Sequence, residues 1–170
     1  MELQRSRIDQ FIRENHPIVI SVNYIPDDIP VDFAFLSNSR RYVQLGTRLL
    51  ELKQQGGSIV KVIATSNVTN VKGSFDYTLN YSSLIDRNAE IIDNSFVMLL
   101  NVLVKTGVSR VSCAGFDGYS VGGENYFNAD MDYRIGKEKS MNLNSYVKEV
   151  LRKLQDSLTV DFVTDSWYAE

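Results

Sequence analysis

Residues 18–23 read IVISVN, and the phrase returns as FAFLSN at 33–38 and as VIATSN at 62–67. Each is a short apolar run that closes on an asparagine: Asn23, Asn38 and Asn67. Near-continuous apolar runs of this length, without polar alternation, read as strands covered on both faces, as in parallel sheets. Two explanations of the shared ending stand side by side. Asparagine closes strands because its amide bonds local backbone. Alternatively, right-handed crossovers bring every strand's carboxyl end to one edge of a parallel sheet, where ligands of open α/β sheets bind. On that account Asn23, Asn38, Asn67 and, after the fourth strong strand, Asp117 emerge on one rim and line one crevice.

Working outward, Ile8, Phe11 and Ile12 share one face of an opening helix that Pro17 must stop. Pro26 and Pro30 make 27–32 a connection. A helix is expected over 40–55, with Tyr42, Leu45, Leu49, Leu50 and Leu52 as apolar positions, Ser39 as cap and Gly56-Gly57 as stop. Strands are expected over 58–65, more weakly over 75–81, then over 108–117 and 158–164. Between them SFVMLLNVLVKTG, 95–107, reads as an apolar helix, and 141–156 as an amphipathic one. Residues 116–139 form a long loop rich in Gly, Asn and Tyr, a length more often functional than inert. Alternating strands and helices predict an α/β fold: a doubly wound, three-layer, Rossmann-like domain with a mostly parallel sheet, spanning 1–170 as one domain.

Composition narrows the function. The 170 residues carry a net charge of −3, with 44% hydrophobic and 23% charged side chains. No basic field argues for nucleic acid, and no apolar run reaches the ~18 residues of a membrane span. A single cysteine, Cys113, lies in a strand-like run and reads as a buried small residue. With His16 as the only histidine, neither a histidine-based metal cluster nor a Ser-His-Asp triad has material to draw on. No cofactor or metal is expected, and the location expected is cytoplasmic.

Two further constellations carry chemistry. Asn94 and Ser95 open the apolar helix, where free N–H groups and the positive dipole end favour an anion; taken alone, simple capping by Asp93, Asn94 or Ser95 is the favoured reading. CAGFDGYS, 113–120, sets Asp117 between two glycines, able to accept bonds from sugar hydroxyls or to pin its loop. Tyr119, Tyr126, Phe127 and Tyr133 could stack on a base or sugar, or anchor that loop. A nucleotide-binding α/β domain ordinarily begins with a strand and a glycine-rich turn. This sequence begins with the helix and contains no G-x-G-x-x-G. The expectation is a sheet without its first strand, or a C-terminal piece of a longer protein; the piece is favoured.

PIVISVNYIP, VDFAFLSNSRRY and DNSFVMLLNVLVKTGVSRVSCAGFDGYS resemble the C-terminal Rossmann-like domain fused to aldolase-like proteins of bacterial polysaccharide gene clusters, often described as 4-hydroxy-2-oxovalerate aldolases. The resemblance covers nearly the whole chain. It implies an aldolase barrel as a partner domain in the parent protein, with the lyase activity residing there. The same motif order is similar to bacterial sialyltransferases and to motility accessory factor glycosyltransferases. That similarity implies a site for a nucleotide or nucleotide-sugar, with Asn23 and Asn38 at two strand ends and Asn94 and Ser95 toward the nucleotide; Asn67 joins them by the strand-end reading alone. Asp117 and Tyr119 fall toward the sugar. VTDSWY, 163–168, resembles the strand end that closes the site in those enzymes. Where they carry a catalytic histidine in an IGHS-like segment, this chain reads IGKEKS, with Lys137 at that place. An ordinary lysine is a poor general base at neutral pH unless buried or crowded. The readings left open are a nucleotide-binding module of surface polysaccharide biosynthesis, an active glycosyltransferase using Lys137 or Asp117, and a non-catalytic interaction or dimerisation module compatible with a homo-oligomer.

Overall fold

The computed structural model describes residues 2–54, 60–68, 75–120 and 137–169. Gly56, Gly57, Tyr126, Phe127 and Tyr133 lie outside the described residues, as does the side chain of Leu50. The element order is α1 (Glu2–Asn15), β1 (Ile20–Val22), β2 (Phe33–Leu36), α2 (Ser39–Gln54), β3 (Lys61–Thr65), β4 (Tyr77–Leu79), a 3-10 turn (Tyr81–Ser83), α3 (Ser95–Lys105), β5 (Arg110–Cys113), α4 (Lys137–Leu154) and β6 (Thr159–Phe162). The fold is α/β, and every described strand pair is parallel, consistent with a Rossmann-like layout. β1-β2-β3-β4 form one sheet and β5-β6 another. The chain divides into two compact units. The four-stranded unit comprises His16–Asp86 and Asp93–Val102; the two-stranded unit comprises Met1–Asn15, Arg87–Ile92 and Leu103–Glu170.

In the four-stranded unit, Ala34 and Leu36 of β2 and Val62 of β3 pack with Leu45 and Leu49 of α2. Tyr42 and Leu52 extend the same helix face, as their spacing predicts. The link from β1 to β2 contains no helix, although parallel neighbours usually need one. Ile25 and Val31 from that link are 4% and 6% exposed and join this core, so a loop covers the sheet where a crossover helix would. A carboxylate latches the entry to two strands. Asp32 precedes β2 and accepts the Val19 N–H at 2.7 Å; Asp76 precedes β4 and accepts the Val62 N–H at 2.7 Å. The early residues of α3, Phe96 to Leu100, are all buried, which explains why that helix is apolar on every side.

In the two-stranded unit, Arg110 pairs with Thr159 and Cys113 with Phe162 in register. The Arg110 and Asp161 side chains meet at 2.8 Å on the surface. Leu143 and Val147 of α4 and Leu158 are almost fully buried. α4 starts at Lys137, earlier than the periodicity predicts, because its first turn is polar and adds no apolar stripe. On α1, Ile8, Phe11 and Ile12 are the half-buried face. The helix ends before Pro17, and the Asn15 side-chain amide folds back to donate to the Phe11 carbonyl at 2.9 Å.

Candidate functional site

Three strand ends and one helix start converge in the four-stranded unit. Asn23 follows β1 with φ 54°, a left-handed conformation that Asn tolerates better than most residues. Its N–H donates to the Phe35 carbonyl at 2.9 Å, which holds the chain in that turn. Its side-chain carbonyl accepts the Ser37 N–H at 3.2 Å, and its amide donates to Ser95 Oγ at 2.7 Å. Ser37 follows β2, is 2% exposed, and places its Oγ 2.6 Å from Ser95 Oγ. Past β3, the Asn67 amide donates to the Ser37 carbonyl at 3.0 Å, and its carbonyl accepts the Thr65 hydroxyl at 2.5 Å. Asn23, Asn67 and Ser95 therefore belong to one hydrogen-bonded group, joined through Ser37, whereas Asp117, expected on the same rim, lies in the two-stranded unit.

Asn94 and Asn38 are helix caps. Asn94 Oδ1 accepts the N–H groups of Phe96 and Val97 at 3.1 and 3.2 Å, opening α3. Asn38 Oδ1 accepts the Arg40 N–H at 2.9 Å and takes the capping role expected of Ser39, which is the first helical residue. The reason is reach: an Asn side chain already bonds the N–H two residues on. Asn38 itself is exposed at the rim, beside Arg40, and the first turn of α2 contains no acid. Asp93 turns its carboxylate to the Tyr81 hydroxyl, which donates at 3.1 Å. Burial and then the Asp93 charge push the Tyr81 phenol above its ordinary value.

Asp117 and Tyr119 belong to the two-stranded unit, in the loop after β5. The Asp117 carbonyl, not its carboxylate, pins the loop by accepting the Trp167 N–H at 3.0 Å. Its carboxyl is pushed above the usual range by desolvation and secondarily by the charge of Asp165. Tyr119 is held through its backbone. Asn144 of α4 accepts its N–H and donates to its carbonyl, both at 2.8 Å, and also accepts the Tyr168 hydroxyl at 2.9 Å. Gly118 has φ 100°, and a Cβ there would lie 3.0 Å from Trp167 Cβ, so the turn requires glycine. Lys137 is exposed at the start of α4, and its carbonyl accepts the Ser140 hydroxyl at 2.9 Å. An open depression of about 470 Å³ in this unit is lined by Glu90, Glu138, Lys139 and Asn142, none of them a predicted site residue.

Sequence reasoning missed Ser37 and Thr65, although the repeated phrase contains the clue. LSN and TSN each set a small hydroxyl beside the asparagine. Among the described residues no group of three or more His, Cys, Asp or Glu side chains could hold a metal ion. No described helix is long and apolar enough to cross a membrane. Burial, with a smaller push from Asp161, raises the Cys113 thiol to about 12, so the buried side chain is not a nucleophile at neutral pH. No family model, curated protein or solved structure matches this chain.

Proposed function

We propose that the four-stranded unit binds a nucleotide, or the nucleotide half of a nucleotide-sugar, at the carboxyl ends of β1, β2 and β3. The observation that carries this reading is the joining of Asn23, Ser37 and Asn67 with Ser95 in one polar group. That edge is where open parallel α/β sheets receive ligands. The exposed cap Asn38 and the exposed Arg40 on the first turn of α2, with half-buried Arg41 beside it, add a positive dipole end and cationic side chains for a phosphate. The resemblance to domains fused to aldolase-like proteins and to sialyltransferases supports a cytidine nucleotide and a role in surface polysaccharide biosynthesis.

The test is calorimetric titration of the chain with CMP, UMP and AMP. Binding of CMP that Arg40→Glu weakens at least tenfold supports the reading, because the charge reversal sits at the proposed phosphate end. Absence of binding by all three nucleotides ends it.

A further inference from the structure

We propose that Trp167, with the carboxylates of Asp117 and Asp165 beside it, is a docking point for an arginine side chain carried on a basic segment of a partner polypeptide. All three residues belong to the two-stranded unit, so the site is independent of the nucleotide reading. The surface that displays them is firmly built. Beyond the last ladder pair, Cys113 with Phe162, the loops after β5 and β6 stay bonded to each other. Gly115 donates its N–H to Thr164 Oγ1 at 3.0 Å, the Ser166 hydroxyl donates to the Phe116 carbonyl at 2.6 Å, and Trp167 donates its N–H to the Asp117 carbonyl at 3.0 Å. Asn144 of α4 then holds Tyr119 by both its backbone groups. The backbone is thus fixed while the side chains of Asp117, Asp165 and Trp167 stand exposed on it.

Trp167 is 70% exposed, which is far from the usual place of so large an apolar side chain. Its ring leans on the turn at Gly118, where a Cβ would come within 3.3 Å of the indole Cδ1, and the rest of its surface is open. Exposed tryptophans are the residues that most often carry binding energy between proteins. Charge selects the partner. Arg7 of α1 pairs with Asp165 at 2.8 Å, but among the described residues no cation pairs with the Asp117 carboxylate. Asp117 is left near a like charge, and desolvation followed by the Asp165 charge holds its carboxyl above the usual range. A guanidinium answers both needs, because it stacks flat on an indole and turns its N–H fork to a carboxylate. On so open a surface a small free cation would leave most of the ring wet. An arginine carried on a polypeptide brings flanking residues that cover it, and the chain's net charge of −3 favours the approach of a basic partner.

Trp167 is the only tryptophan, so intrinsic tryptophan emission reports this site and no other. The chain is titrated with an end-blocked glycine-arginine peptide and with its citrulline counterpart, which keeps the shape and loses the charge. The arginine peptide is expected to shift the emission and, by calorimetry, to bind at least about fivefold more tightly than the citrulline peptide. Asp117→Asn and Trp167→Leu are each expected to weaken the arginine peptide at least about threefold by calorimetry, with far-UV circular dichroism unchanged. Asp156→Asn, which removes an exposed acid beyond α4, is expected to leave its binding within about twofold of the parent. Equal binding of the two peptides overturns the proposal without any variant, as does binding of neither. Equal losses in Asp117→Asn and Asp156→Asn overturn it in favour of the general acidity of the chain. Undiminished binding by Trp167→Leu overturns the role of the indole.

Discussion

Replacing Asn23 by alanine tests the strand-end group most directly. The substitution removes the 2.7 Å bond to Ser95 Oγ and the 3.2 Å bond from the Ser37 N–H. At about 1 kcal/mol each, these losses sum to about 2 kcal/mol, with more if the N–H of nearly buried Ser37 is left unpaired. Alanine at φ 54° adds about 1 kcal/mol, because a Cβ in the left-handed region crowds the following carbonyl. The total is about 3–4 kcal/mol, a large part of the 5–15 kcal/mol that typically holds a domain folded. Asn23→Gly separates the parts. It loses the same two bonds but relaxes the backbone, so it is expected to retain about 1 kcal/mol more stability than the alanine variant. Urea unfolding followed by far-UV circular dichroism gives both values. A glycine variant no more stable than the alanine variant refutes the backbone part of the reasoning. An alanine variant within 0.5 kcal/mol, in order of magnitude, of the parent refutes the hydrogen-bonded group itself.

Two predictions concern the other unit. Cys113 holds its proton up to about 12 in the folded chain and about 9.0 in the unfolded one, so above that lower value the unfolded chain releases the proton first. Stability is therefore expected to fall between those two pH values, and Cys113→Ala to flatten that slope in thermal melts; an unchanged slope contradicts the prediction. Gly118→Ala is expected to destabilise by about 1–3 kcal/mol, from the positive φ together with the Trp167 clash, and a thermal midpoint equal to the parent's contradicts it.

The strands, their parallel character and the polar strand ends were legible because apolar runs and their closing residues are local signals. Asn23 and Asn67 could be grouped because parallel topology gathers carboxyl ends, whereas Ser95 opens a helix and was placed with them only by the family resemblance. Which polar residue of each phrase turns inward was not legible. In the second phrase Ser37 is buried and Asn38 exposed, a matter of where the strand's alternation ends rather than of residue type. The helix-free link between β1 and β2 was visible as a proline-containing connection, but its place between parallel neighbours was not. Nor were the latches of Asp32 and Asp76, although VDF and FDY repeat the same order of residues. Each latch depends on a neighbouring strand's amide, which no single segment encodes.

The direct loop from β1 to β2 has a kinetic consequence. The pairing of Ile20 with Phe33 encloses roughly half as much chain as that of Phe33 with Lys61, which must enclose α2. Closure entropy rises with enclosed length by only ~0.6 kcal/mol per doubling, but that small difference orders the steps. β1 and β2 can zip together before α2 has found its seat, so a strand pair, rather than a strand-helix-strand unit, is the natural seed from which this sheet grows.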